Sequence, residues 1–227
     1  MLGLDIADVE KGNYGTHLNV YDWKEKKLIQ KVDLGLEGVM PLEIRFLHDP
    51  KATEGFVGSA LFANMFRYYK TEAGDWAAEK VIDIPAKKVE GWVLPEMPGV
   101  MTDILISMDD KYLYFSNWVH GDVRQYDITD TRNPKLTGQV FFGGSIQAGG
   151  GVTVTEDTEL SVQPGVRYIK EKRIWGAPQM LQLSLDGEII IYYSGDISHL
   201  GRQERDFTSP PHSSPRGTNS STQTCVT

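Results

Sequence analysis

The sequence predicts an all-β chain of β-propeller blades, and two observations predict it. Three stretches repeat one pattern: Pro41-Leu42-Glu43-Ile44-Arg45-Phe46-Leu47-His48-Asp49, Met101-Thr102-Asp103-Ile104-Leu105-Ile106-Ser107-Met108-Asp109 and Pro178-Gln179-Met180-Leu181-Gln182-Leu183-Ser184-Leu185-Asp186. Ile44, Ile104 and Leu181 fall in register, as do Phe46, Ile106 and Leu183, and each copy ends in an aspartate where the chain must turn. Secondly, short β-rich runs follow the copies, separated by turn residues, as a four-stranded antiparallel blade requires. Each copy reads as the short, apolar innermost strand of a YVTN/WD40-like blade, because both faces of a blade are buried against its neighbours.

The second copy shows the template most clearly. Lys111–Asn117 reads as a second strand, Trp118–Asp122 as a loop, Val123–Ile128 as a third strand and Leu136–Phe142 as a fourth. The same template on the first copy gives strands near Glu54–Ala60, Met65–Lys70 and Trp76–Ile84. Before it, Thr16–Trp23 and Lys27–Leu34 read as the third and fourth strands of a preceding blade. After the third copy, Glu188–Ser194 reads as a second strand, with no third or fourth expected. The count is two full blades flanked by two partial ones.

The copies begin at residues 41, 101 and 178, spaced wider than the roughly 40 to 50 residues of a lean propeller repeat. The surplus falls in two inserts, about Pro85–Val100 and Gly143–Ala177, the second opened by Gly143-Gly144 and Gly149-Gly150-Gly151. Loops of this length are usually functional lids. Both precede innermost strands, on the face where propellers place their sites.

Residues 1–200 are read as the partial propeller and 201–227 as a disordered tail. From Thr208 to Thr227, 10 of 20 residues are Ser or Thr and three are proline, too little apolar surface to offset the entropy of ordering. The net charge of −8 and the lack of a basic stripe disfavour nucleic acid as a partner. No apolar run reaches the ~18 residues of a membrane span, and the start lacks the pattern of a secretory signal. A single cysteine, Cys225, fits a reducing compartment.

Several long strings carry a resemblance: Asp8-Val-Glu-Lys-Gly-Asn-Tyr-Gly-Thr-His-Leu-Asn-Val-Tyr-Asp-Trp23, Pro41-Leu-Glu-Ile-Arg-Phe-Leu-His48, Gly91-Trp-Val-Leu-Pro-Glu-Met-Pro-Gly99, Thr102-Asp-Ile-Leu105 and Tyr114-Phe-Ser-Asn-Trp-Val-His-Gly-Asp-Val-Arg-Gln-Tyr-Asp127. Together they resemble the selenium-binding protein family, the methanethiol oxidases, from about Asp8 to Gly187, over less than half of the family's length. The resemblance implies a seven-bladed propeller enzyme that oxidises methanethiol with O2 and water to formaldehyde, hydrogen sulfide and hydrogen peroxide. Copper is implied as cofactor, with selenium association, a cytosolic location that extends to the nucleus or the membrane periphery, and a role in intra-Golgi protein transport. The family's selenium-associated cysteine lies in a part with no counterpart here. Cys225 falls in the unmatched tail and reads as a free thiol.

Blade geometry then selects candidate site residues, because loops entering the first strand and loops joining the second to the third lie on one face. His120 lies in such a loop and His17 begins a third strand just after another, so these two are the candidate metal ligands; imidazole suits copper. Glu43 and Asp103 begin innermost strands on the same face and are the candidate catalytic carboxylates, able to ligate or to orient a histidine. Hairpin polarity for the histidines and satisfaction of loop amides for the carboxylates remain as alternatives. His48 belongs to the opposite face, Trp92 and Trp118 read as packing residues, and His199 and His212 receive no role. Two classes of function follow: a copper-dependent thiol oxidase, which this chain alone is expected to support weakly or not at all, and a non-catalytic propeller module that binds selenium or a partner, or self-associates, through open blade edges.

Overall fold

The computed structural model describes residues 8–9, 11–195 and 223–226. The described chain enters through a hairpin of β1 (His17–Asp22) and β2 (Lys27–Asp33), followed by a 3-10 turn at Leu36–Gly38. A meander of β3 (Pro41–Phe46), β4 (Glu54–Ser59), β5 (Asn64–Lys70) and β6 (Trp76–Asp83) forms the first four-stranded sheet. After β7 (Lys87–Glu90) and β8 (Glu96–Met97), a second meander runs through β9 (Met101–Ile106), β10 (Tyr112–Asn117), β11 (Asp122–Asp127) and β12 (Lys135–Phe141). Then come β13 (Thr153–Glu156), β14 (Arg167–Ile169), β15 (Lys172–Ile174), β16 (Ala177–Leu183), β17 (Ile190–Gly195) and β18 (Gln223–Val226).

The three repeat copies become β3, β9 and β16, and these innermost strands lie side by side in sequence order. That is the radial arrangement of propeller blades. β4, β5, β9 and β10 are buried along nearly their whole length, as strands covered on both faces must be. The outer strand β12 is largely exposed or half-buried.

Three apolar seams join the blades. Phe56, Met65 and Ile82 of the first sheet meet Ile104, Leu113 and Phe115 of the second, with Phe115 stacked on Tyr126 at 5.4 Å. Val57, Phe66 and Tyr68 meet Leu18 and Leu34 of the entering hairpin. Val123 and Phe142 meet Leu181 and Tyr192 on the other side, the Phe142 and Tyr192 rings 4.3 Å apart.

The turn after the innermost strand uses one device twice. Ser107 Oγ donates to Asp109 Oδ1 at 2.7 Å and accepts from the Tyr112 amide, and Ser184 repeats this with Asp186 and the Ile189 amide. The hydrogen bonds from Ser107 and Lys111 hold Asp109 down at about 2. Asp110, at φ 57, accepts from the amides of His48 and Asp49 and from His48 Nδ1 at 2.8 Å, tying the first blade's turn to the second's.

The inserts are more ordered than loops. β7 from one insert pairs with β13 from the other and with β8, giving a three-stranded sheet that neither insert could form alone. The last sheet also differs from expectation, because β18 pairs antiparallel with β17, Cys225 opposite Ile191. The edge of β17 presents unpaired backbone groups that any extended segment can satisfy. The rest of the expected disordered tail, with His212, lies outside the described residues, and so does His199.

Replacing Phe115 with alanine is expected to cost about 3–5 kcal/mol, whereas Ile44→Ala on the exposed side of β3 is expected to cost about 1 kcal/mol or less. The shift of the urea midpoint, followed by tryptophan fluorescence, measures both.

Candidate functional site

Asp103 is the most deeply placed of the predicted carboxylates. Its side chain is 3% exposed, and Oδ2 accepts the Leu181 amide of the next innermost strand at 2.5 Å. Oδ1 is buried without a hydrogen-bond partner; Arg45 Nη2 stands 3.9 Å away, too far to donate. The same guanidinium reaches Glu43 Oε2 at 3.3 Å, and its Nε donates to the Ile104 carbonyl at 3.1 Å. Glu43, Arg45 and Asp103 therefore form one cluster across the first two innermost strands. Burial raises the Asp103 carboxyl above its ordinary value and the Glu43 charge adds to this, against the opposing Leu181 amide and Arg45. A carboxyl shifted this way beside a cation and a second carboxylate is suited to giving or taking a proton.

His120 lies in the β10–β11 turn and is fully buried. Its Nε2 lies 3.0 Å from the Met97 carbonyl. A carbonyl only accepts, so Nε2 carries the hydrogen. Burial lowers the imidazole pKa, which keeps the ring neutral. Nδ1 is then a bare lone pair, buried and without a hydrogen-bond partner. That is the protonation state a metal ligand requires.

Beside this turn lies a network that sequence reasoning missed. Arg124, 1% exposed, donates through Nε to Asp122 Oδ2 at 2.8 Å and through Nη1 and Nη2 to the two oxygens of Glu159 at 2.5 and 2.8 Å. Lys87, equally buried, reaches Asp157 at 2.8 Å and Glu159 at 3.1 Å. Burial alone would raise both carboxyls; hydrogen bonds and charge from Arg124 and Lys87 outweigh it at Glu159, and those from Lys87 with the Glu159 amide outweigh it at Asp157, so both lie below their ordinary values. Lys87 comes from one insert, Asp157 and Glu159 from the other, and Arg124 from the blade. Only the i, i+2 spacing of Asp122 and Arg124, which puts both on one strand face, hinted at it.

The two predicted ligands have separate surroundings. His17 opens β1 on an exposed hairpin, with Nδ1 3.1 Å from Thr16 Oγ1 and Nε2 3.8 Å from Asp33. Among the described residues no three His, Cys, Asp or Glu side chains converge as a metal-holding group. His48 belongs to the turn clasp with Asp110, among the turns joining first to second strands. Trp118 is half-buried in the apolar cluster beneath the inserts, and so is Trp92.

Radially stacked four-stranded meanders, with buried polar groups at the strand entrances and under paired inserts, define a β-propeller with a covered polar site. The profile of the 56kDa selenium binding protein family (SBP56) matches residues 1–206, and the chain belongs to that family. It is 64% identical over 202 residues to a methanethiol oxidase of Xenopus laevis, covering 89% of this chain and 43% of that protein. It is 59% identical over 186 residues to the methanethiol oxidase of Homo sapiens and to selenium-binding protein 2 of Mus musculus, in each case covering 82% of this chain and 39% of the relative. Among solved structures, a hypothetical selenium-binding protein from Sulfolobus tokodaii superposes with a TM-score of 0.66 at 35% identity, over 83% of this chain and 40% of that one. The chain thus spans about two-fifths of the length of these relatives.

The raised Asp103 carboxyl has a defined signature. A carboxyl whose folded pKa exceeds its unfolded value contributes its stability at low pH and loses it as pH rises through the folded value. Asp103→Asn is therefore expected to raise the urea midpoint relative to the parent chain more at pH 7 than at pH 4. A gain independent of pH would assign the effect to packing.

Proposed function

We propose that this chain is part of a methanethiol oxidase, in which methanethiol, O2 and water become formaldehyde, hydrogen sulfide and hydrogen peroxide. The supporting observation is 59–64% identity to relatives named methanethiol oxidase, over most of the described blades. A small thiol and O2 are the substrates on this reading, and selenium association follows from the family name. The cytosolic location and the transport role rest on the resemblance alone.

Copper is the cofactor this reading calls for. The buried, neutral His120, with its free Nδ1 lone pair, suits one imidazole ligand to copper. His17, exposed beside Thr16 and Asp33, is the other proposed ligand. The described residues do not fit a complete site, since neither histidine stands in a group of three His, Cys, Asp or Glu side chains. The chain's own contribution is positional: the Met97 carbonyl fixes the His120 tautomer, and the inserts exclude water from it. Glu43 and Asp103, bridged by Arg45, are the proposed proton-handling pair.

A second reading has its own observation. Leu42, Ile44 and Phe46 on β3 are 52%, 47% and 57% exposed, whereas their register mates Thr102, Ile104 and Ile106 are buried. Such a face suits a partner-binding module.

Copper stoichiometry and hydrogen sulfide release separate the two readings. The purified chain is expected to retain substoichiometric copper, lost in His120→Ala and kept in His48→Ala, with methanethiol-dependent sulfide and peroxide near background. Copper retention unaffected by His120→Ala would remove that residue from the site.

A further inference from the structure

We propose that the two inserts form a single lid over the β10–β11 turn, latched by Glu159, and that release of this latch controls access to His120. Glu159 is then a positioning residue, acting through the groups it holds together. The proposal rests on the functional reading above only in naming His120 as the group worth reaching.

The lid is one body by construction. β7 and β13 pair at Thr153 with Glu90, Val154 with Val89 and Glu156 with Lys88. Gly91 and Gly151 approach so closely that a Cβ on Gly91 would lie 2.4 Å from the Gly151 carbonyl. Beneath this sheet lies a small apolar cluster of Val89, Met97, Val119, Ile146 and Val152. His120 is held from the same side by the Met97 carbonyl of β8.

The lid is also hinged. The second insert leaves and rejoins the blade at one point: a Cβ on Gly143 would lie 1.9 Å from the Gly176 carbonyl, and one on Gly144 would lie 2.6 Å from the His120 carbonyl. Gly144, Gly149 and Gly151 all have positive φ, between 70° and 96°, a region that glycine enters without strain. A segment whose two ends meet at glycines can swing as a unit with few torsions changed.

One carboxylate ties both inserts to the blade by charge, beside backbone hydrogen bonds from the Trp118 and Val119 amides to Val100 and Gly99 and from the Ser145 amide to Val119. Glu159 alone joins Arg124 of the blade to Lys87 of the other insert, and its side chain is 22% exposed while both cations are 1% exposed. Without Glu159, Arg124 keeps Asp122 and Lys87 keeps Asp157, but no side chain joins the two pairs, and the buried N–H groups that Glu159 satisfied lose their partner, a cost that opening the lid to water relieves. The rim of the lid packs less closely than its apolar underside. A groove of about 370 Å³ runs between Ile146, Val154, Leu160 and Pro164, and Val162 on its rim is 77% exposed.

The test is carboethoxylation by diethyl pyrocarbonate on the full chain, read residue by residue by peptide mass spectrometry, with exposed His48 as the internal control. His120 is expected to react at least ~10-fold more slowly than His48, and Glu159→Gln to raise the His120 rate by ~10-fold or more with the His48 rate and the cooperative urea transition retained. Glu159→Asp, which keeps the charge on a side chain one methylene shorter, is expected to raise the His120 rate as well, because it cannot span both Arg124 and Lys87. A folded Glu159→Gln chain with an unchanged His120 rate overturns the proposal. Should that variant fail to fold, Glu159→Asp decides: an unchanged His120 rate overturns the latch, and a faster one supports it. Copper enters none of these readouts, so the lid stands or falls separately from the metal site.

Discussion

A propeller blade must be covered on both faces, and every well-buried element here has that cover. The seam built on Ile104, Leu113 and Phe115 exists because the first and second blades press their apolar faces together. Where the described residues offer no neighbour, the same sequence pattern gives a different result. Ile44 and Ile104 occupy one register position, yet Ile44 is 47% exposed and Ile104 fully buried. At about 25 cal/mol per Å² of apolar surface, each uncovered strand forfeits part of what its register mate contributes. The stability of the described blades is therefore unevenly distributed, greatest in the seam between the two complete ones.

That unevenness organises the polar groups as well. Asp103 binds the Leu181 amide of the following blade, and Arg45 binds the Ile104 carbonyl of the following blade. Both are radial contacts between innermost strands, made by residues near the strand entrances. Asp110 makes a comparable link through the amides of His48 and Asp49. Each blade is thus keyed to its neighbour by polar contacts as well as by apolar packing. The keying at the strand entrances leaves a buried carboxyl oxygen unpaired on Asp103, which is expensive unless it has a use.

Much of the fold was legible because period-2 apolar runs and their turns are local signals. The other strands of the two complete meanders and the entering hairpin fall within a residue or two of the expected bounds, and each repeat copy gives a strand that stops three residues before its closing aspartate. Pairing between β7 and β13 was illegible for a physical reason: both are four-residue strands in polar, glycine-rich surroundings, more than sixty positions apart in sequence. The Lys87–Glu159–Arg124 network followed the same rule, since its members meet only after the inserts pair. On the site, strand-entrance logic put Glu43 and Asp103 on one face, where both lie beside Arg45, a residue that logic could not identify. The same logic grouped His17 with His120 by face, whereas burial divides them, one exposed on a hairpin and the other sealed under an insert.

The tautomer of His120 ties the inserts to the chemistry proposed for the site. Its Nε2–H is committed to the Met97 carbonyl, and Met97 is fully buried on β8, inside the insert sheet. Displacing β8 would therefore free Nε2 as well as admit water, and the ring could then rotate or exchange tautomers. A ligand nitrogen presented by a fixed tautomer binds with less loss of orientational freedom than one on a free ring. The insert sheet thus both hides the imidazole and orients it. A closed lid favours a correctly presented Nδ1 while an open one favours access, so exchange at this position requires both states to be visited.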